Sequence, residues 1–257
     1  MTEFESLTIV LGAVTETDSL TETVRFILSA CNHSDLKEIL IICSQSITDQ
    51  SREAVESILN NQTDVPVIAI TQTEPGIAGG IRCGIENASG SHCIFLSSDF
   101  AEDLEILPVM IEKVKQSPSR IVSASRWLKG QKFYGYGRFK KLLNFCAQIF
   151  LKVLFTSPLT DFTNPVQIAP SELYKSLSLE STGFSILLEL VLKPLKLGYE
   201  FEEVPSNCYS RKQGKSNNSY TQLPSYLYTA LRTRFMKKEN VLKKDSVLYK
   251  EYFEKKQ

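Results

Sequence analysis

The sequence predicts an α/β protein built on a mostly parallel, doubly wound sheet. Three observations carry that expectation. Through the first half, short apolar runs alternate with amphipathic segments at helical spacing, the rhythm of parallel strands joined by right-handed crossovers. The stretch PGIAGGIRCGIENASGSHCIFLSSDF, Pro75 to Phe100, joins a glycine-rich turn, a helix and a short apolar strand that ends on Asp99. In an open sheet ligands gather at the carboxyl ends of strands, which is where that acid stands. Finally, 257 residues with 42% hydrophobic and 23% charged side chains can bury a sizeable core.

The elements follow in order. Residues 7–14 are an apolar strand, and 19–30 a helix with Leu20, Val24, Ile27 and Leu28 on one side. Residues 37–43 form the second strand, 49–59 the second helix and 65–70 the third strand. The glycines at 76, 79 and 80 let the backbone approach something bulky and polar. Ile81, Ile85 and Ala88 then recur at helical spacing until Ser89-Gly90 stops the helix. A strand at 93–96, a helix at 104–115 and a strand at 121–124 complete the alternation. After Arg126 the texture changes. Residues 127–136 are aromatic, basic and glycine-containing, a loop whose Phe133, Tyr134 and Tyr136 either anchor at lipid headgroup level or pack locally. Residues 138–155 form an amphipathic helix whose apolar run is interrupted by Asn144, Gln148 and Lys152. Leu142, Phe145, Ile149 and Val153 make one stripe, widened by Leu143, Cys146, Phe150 and Leu154. With Lys140 and Lys141 at its start, it suits either a membrane interface that receives a lipid tail or a core-facing position with one wet face. Residues 159–169 look extended, 183–197 helical and 199–204 a strand; 211–219 (RKQGKSNNS) is a basic loop. Leu227, Leu231 and Phe235 step by four in a helical, lysine-rich tail, so the expected division is a main domain at 1–219 and a tail at 220–257.

The net charge of zero hides a segregation. Residues 1–112 hold 18 acids and 4 bases, and residues 113–257 hold 11 acids and 25 bases. From Lys113 to Thr160 there are ten Lys or Arg and no acid. That favours an anionic partner for the second half: phosphates, nucleic acid or an acidic membrane surface. No nucleic-acid reading module is present, so nucleic acid is not expected. The six cysteines lack paired spacing and read as reduced thiols of a cytoplasmic protein, and His33 and His92 are isolated. The opening MTEFES has no signal-peptide pattern, and the apolar run at 142–155 is too short to span a bilayer. A nucleotidyltransferase is disfavoured, because the glycine-rich basic loop it needs after the first strand is replaced by Thr15-Glu16-Thr17.

The order of motifs is specific. The first strand ends in Gly12-Ala13-Val14-Thr15-Glu16 and the second in Ser44-Gln45-Ser46-Ile47-Thr48-Asp49. Gly79-Gly80 and Gly84-Ile85-Glu86-Asn87-Ala88-Ser89-Gly90 follow, then Ser97-Ser98-Asp99, Ser125-Arg126, Asp161 with Thr163, Glu203-Val204-Pro205, and Arg211 to Ser216. Over about residues 7–219 this resembles glycosyltransferase family 2, within it the polyprenyl-phosphate group typified by dolichol-phosphate mannose synthase. The resemblance implies a GT-A fold. It also implies transfer of a hexose from a UDP- or GDP-sugar to a polyprenyl phosphate or glycan acceptor, by a protein peripheral on the inner membrane face. It assigns Glu16, Gln45, Gly79, Ser97, Asp99, Arg211 and Lys215 to the donor, and Arg126, Arg138 and Asp161 to the acceptor phosphate. Asp99, Arg126 and Arg211 would carry catalysis. An anionic acceptor needs no strong base, so positioning and charge stabilisation do the chemistry.

Departures qualify this picture. Asp99 would hold Mg2+ or Mn2+, but the first acid of the pair is Ser97, and the family's glutamine two residues on is Ala101. Either donor phosphates and water hold most of the metal, or bases replace it, or the chain is a degenerate relative that binds nucleotide or membrane beside an active transferase. Gln45 replaces an acid at the donor's base or ribose. Glu16 either faces the ribose or caps the next helix, and Asp161 either orients acceptor or arginines or serves a helix or turn. The nucleotide base and the oligomeric state have no signature in the sequence.

Overall fold

The computed structural model describes residues 3–135, 137–209 and 220–254. Strands β1 (Leu7–Ala13) and β2 (Leu36–Cys43) are nearly continuous apolar runs, buried except at Gly12 and Lys37. Such strands need helices on both sheet faces, as in parallel sheets. β1 pairs in parallel with β2 and with β4 (His92–Leu96), and β2 with β3 (Val67–Thr71). Helices α1 (Asp18–Ala30), α2 (Asp49–Leu59) and α3 (Gly76–Asn87) make the crossovers, and α4 (Leu107–Gln116) leads to β5 (Ile121–Ser125). The seven-stranded sheet has the order β3-β2-β1-β4-β6-β5-β7. β6 (Gln167–Pro170) runs antiparallel to β4 and β5, and β7 (Phe201–Pro205) parallel to β5. The expected mostly parallel α/β sheet is therefore present, with one antiparallel strand inserted.

Helix α5 (Arg138–Phe155) joins β5 to β6, α6 (Ser171–Ser176) and α7 (Ser185–Leu197) lead to β7, and α8 (Leu223–Phe235) follows. One apolar layer packs α1, α2 and α4 on the sheet; the other packs α3, α6 and α7. Val241 and Leu242, beyond α8, are buried in that second layer, where Tyr249 and Phe253 also pack.

Three local readings change. The expected strand at 65–70 begins later, at Val67. Of the stretch 159–169 only its end is strand, because side-chain hydrogen bonds rather than a ladder order the rest. The glycine-rich turn is the first part of α3 itself: Gly76 has φ +74°, and a Cβ on Gly79 would stand 2.1 Å from the Glu74 carbonyl oxygen. Gly84 lets α3 approach the sheet, since a Cβ there would meet Val10 Cγ1 at 2.6 Å.

Candidate functional site

The candidate residues collect at the carboxyl edge of the sheet. After β1, Glu16 Oε2 accepts from the backbone N–H groups of Val14 (2.8 Å) and Thr15 (2.9 Å), closing its own turn. After β2, Gln45 Nε2 donates to the Thr73 carbonyl (2.6 Å), tying that loop to the exit of β3. After β4, Ser98 Oγ donates to the Gly12 carbonyl (2.6 Å), locking the ends of β4 and β1 together.

Asp99 is buried. Its Oδ1 accepts from Ser97 Oγ (2.9 Å) and from the Ala101 N–H (3.0 Å). Phe100 between them has φ +57°, a left-handed conformation uncommon outside glycine. The bend returns the chain onto the strand end, where Glu102 Oε2 accepts from the Ser97 N–H (2.7 Å). Glu102 was not among the expected site residues.

The segment after β7 is stitched onto this loop. Cys208 bridges to Glu102 on one side and Phe133 on the other, Tyr209 N–H donates to the Ala101 carbonyl (3.1 Å), and Asn207 binds Asp103 through its backbone N–H and its amide. Burial pushes the Cys208 thiol up, and its bridges to Glu102 and Phe133 link the loops that follow β4 and β5. Arg211 and Lys215 follow this segment and lie outside the described residues, as does Tyr136.

At the end of β5, Arg126 and Asp161 meet as two planar groups. Arg126 Nε donates to Asp161 Oδ2 (2.7 Å), Nη2 to Oδ1 (2.8 Å) and to Thr163 Oγ1 (2.9 Å). Burial pushes the Asp161 carboxyl up, but the Arg126 charge and the N–H donors of Arg126 and Thr163 outweigh it, leaving the group below the usual carboxylate range. The backbone N–H groups of Thr160 and Asp161 donate to Glu203 of β7. Burial pushes the Glu203 carboxyl up despite those bonds. The sequence-derived pair Arg126 and Asp161 is thus together, whereas Arg138 is exposed on the first turn of α5.

Asn144 and Gln148 of α5 join the same knot. Gln148 Nε2 donates to Thr163 Oγ1 (2.8 Å), its Oε1 accepts from Phe162 N–H (2.8 Å), and Trp127 Nε1 donates to Asn144 Oδ1 (2.9 Å). These two residues were read only as interruptions of an apolar run; their spacing of four was the signal of a polar inner face. The predicted apolar stripe points outward. Leu142 is 57% exposed and Val153 74%, with Phe145 and Ile149 also in solvent, while the buried residues of α5 are Gln148 and Leu151. The core-facing alternative for that stripe is thereby corrected: the inner side of α5 is held by the hydrogen bonds of its polar residues and, at its C-terminal end, by Leu151, Leu154 and Phe155, which pack with residues of α7. Beside it, α8 exposes Leu227, Tyr228, Leu231 and Phe235, and Arg234 Nε donates to the Leu154 carbonyl (2.7 Å). Lys141 lies 4.5 Å from the Phe133 ring centroid. Among the described residues no helix is long and apolar enough to cross a membrane.

For a divalent cation, the described residues hold no cluster of three or more His, Cys, Asp or Glu. The donors at the β4 exit are Asp99, Glu102 and the Ser97 hydroxyl. This oxygen chemistry fits Mg2+ or Mn2+, which take one or two carboxylates and complete their shell with phosphates and water.

Comparison with known proteins places this geometry. The glycosyl transferase family 2 model matches residues 8–176. A dolichol-phosphate mannosyltransferase of Pyrococcus furiosus is 27% identical over 193 residues, 74% of this chain and 53% of that protein. An undecaprenyl-phosphate mannosyltransferase of Micrococcus luteus is 22% identical over 217 residues, 82% of this chain and 86% of that one. The chain thus spans about half the length of the first relative and most of the second. Glucosyl-3-phosphoglycerate synthase from Mycobacterium tuberculosis, solved with Mn2+, UDP and phosphoglyceric acid, superimposes with a TM-score of 0.64 at 17% identity, over 91% of this chain and 80% of that one. The same synthase with Mg2+ and UDP gives a TM-score of 0.62 at 17% identity, over 90% and 79%. These likenesses show the GT-A-type fold.

Proposed function

The chain belongs to glycosyl transferase family 2, and on that premise we propose that it moves a hexose from a nucleotide sugar to the phosphate of a polyprenyl lipid at a bilayer surface. The observation that carries this reading is that the buried Asp99 and the Arg126–Asp161 pair stand at the same edge of the sheet, at the carboxyl ends of β4 and β5, beside a helix whose exposed face is apolar. The two mannosyltransferase relatives, named for dolichol and undecaprenyl phosphate, support the acceptor class.

In this mechanism an acceptor phosphate oxygen attacks the anomeric carbon. The new C–O bond forms as the bond to the nucleoside diphosphate breaks, and the electron pair leaves with the diphosphate. The nucleophile is already an anion, so no side chain has to take a proton. Arg126, clamped by Asp161 and Thr163, presents a guanidinium that keeps its orientation when a phosphate arrives; such preorganisation is the main source of charge stabilisation in enzyme sites. Arg211 and Lys215 are assigned to the donor phosphates by motif alone, together with Gln45, Gly79 and Glu16. Asp99 would hold Mg2+ or Mn2+, which would supply charge neutralisation for the leaving diphosphate. The bilayer contact is the outward stripe of α5 with that of α8, flanked by Lys140, Lys141 and Lys152.

The test supplies polyprenyl phosphate in anionic vesicles with radiolabelled UDP- and GDP-hexoses and Mn2+. Labelled lipid is the expected product. Absence of transfer, with no calorimetric binding of either nucleotide sugar with or without Mn2+, overturns the reading. Binding without transfer supports instead a non-catalytic partner of an active transferase, which the serine at 97 favours.

A further inference from the structure

We propose that Asn144 and Gln148 are positioning residues for the acceptor phosphate: from the inner face of α5 they set the Arg126 guanidinium through Thr163. The inference rests on the transferase reading. Thr163 Oγ1 accepts from Arg126 Nη2 (2.9 Å), Asn144 Nδ2 (2.9 Å) and Gln148 Nε2 (2.8 Å), and its own proton is left for Asp161 Oδ1 (3.3 Å). A hydroxyl ordinarily rotates to suit its neighbours. Here three donors fix it, so the oxygen that receives the guanidinium is held by the helix. Gln148 also donates to Asp161 Oδ1 (3.3 Å) and accepts from the Phe162 N–H (2.8 Å), so one amide touches the whole turn from 161 to 163. Asn144 Oδ1 accepts from Trp127 Nε1 (2.9 Å), which ties down the residue that follows Arg126.

Holding α5 on the body of the protein does not require these amides. Further along the helix the seat is apolar, where Leu151, Leu154 and Phe155 pack with Leu188 and Val191 of α7. A buried hydrogen bond adds little net stability, and one left unmade is costly, so an apolar seat beside Arg126 would serve packing at least as well. What the amides add is direction. Their N–H groups favour the ionised Asp161, and the ionised carboxylate fixes the guanidinium plane through two parallel bonds. Each inward amide is followed in sequence by an outward apolar residue, Phe145 after Asn144 and Ile149 after Gln148. The helix that meets the lipid thus also orients the group that receives its phosphate.

The test is calorimetry of the whole protein with farnesyl phosphate, and with farnesol as the phosphate-free control, beside steady-state transfer kinetics with polyprenyl phosphate in vesicles. Asn144→Leu and Thr163→Val remove the bonds at nearly constant volume, and Thr163→Ser keeps the hydroxyl. Each of the first two is expected to weaken farnesyl phosphate by about tenfold and to lower kcat/KM for the lipid by roughly ten- to a hundredfold. Farnesol binding, the KM for the nucleotide sugar and the melting curve are expected to change little, and Thr163→Ser should keep most of the parent's affinity. Because both side chains act through one contact, the double variant should be no worse than the worse single one. Where Thr163→Val does not fold, Asn144→Leu, at a half-buried position, decides the matter by itself. Parent-like phosphate affinity in folded Asn144→Leu overturns the proposal, as do additive losses in the double variant or a donor KM that rises with the acceptor's. So does a parent that binds no farnesyl phosphate, a result that leaves the transferase reading to nucleotide-sugar binding and the transfer assay.

Discussion

Helices α3 and α5 carry the same kind of pattern and use it in opposite directions. In α3, Ile81 and Ile85 are buried, and Gly84 draws the helix against Val10 and Phe95 of the sheet. In α5, Leu142, Phe145, Ile149 and Val153 keep a similar spacing and all face solvent, while Gln148 faces in. The difference lies in what each helix connects. α3 crosses between strands of a parallel set, and such a crossover must lay its apolar side on the sheet. α5 joins β5 to the antiparallel β6, a connection without that obligation, and leaves an irregular loop. Periodicity therefore identifies an apolar face but not what covers it.

The largest effect is expected from removing the polar seat of α5. Asp161→Asn leaves Arg126 partly buried without its carboxylate, a loss of about 3–5 kcal/mol in unfolding free energy. The pH dependence follows from the depressed Asp161 pKa. The unfolded carboxyl takes a proton first, so the stabilisation is complete above the ordinary aspartate value of about 3.9 and disappears as pH falls through the lower folded value. Glu203, pushed up by burial, contributes in the opposite sense, so the parent's acid slope is shallower than Asp161 alone would give. Denaturant melts of parent and variant between neutral and acid pH isolate it. Parallel curves would show that the pair is not linked to folding.

The second test sets the two helices against each other. Ile85→Ala in α3 is expected to cost about 2–5 kcal/mol through lost burial and a cavity. Ile149→Ala in α5 is expected to stay within about 0.5 kcal/mol of the parent. Urea melts of both variants decide it: similar costs would mean that the α5 stripe is covered in solution, and the contrast would collapse.

The same contrast marks how far the sequence could be read. The parallel half was legible because each strand and helix there announces itself over a few residues; α2 occupies the residues its pattern indicated. β6 was not, because its four residues close a loop whose backbone N–H groups, such as those of Phe162 and Thr160, donate to the side chains of Gln148 and Glu203, distant in sequence. Asp99 stood out as an acid at a strand end. Glu102 did not, because its approach to Ser97 depends on the φ of Phe100, which no local pattern encodes. The inner face of α5 was written in Asn144 and Gln148, four residues apart, yet an apolar stripe in a helix is ordinarily the buried one, and that expectation hid the signal.

The last prediction concerns what covers the α5 face and is the smallest in folding energy. Ile149→Ser with Val153→Ser removes two exposed apolar side chains, so the melting temperature is expected to stay near that of the parent. Each side chain that no longer enters the bilayer interface forfeits on the order of 1 kcal/mol, so vesicle affinity should fall by roughly tenfold or more. The basic residues supply an independent check. Each lysine near an anionic surface contributes about 1 kcal/mol, screened within a Debye length, so salt should weaken binding of parent and variant alike, and neutral vesicles should bind less than anionic ones. Sedimentation with the two vesicle compositions at low and high salt separates the apolar from the electrostatic share. Unchanged affinity of the double variant would remove α5 from the membrane contact, and a melting temperature lowered as for a core substitution would return its stripe to the interior, where α3 keeps its own.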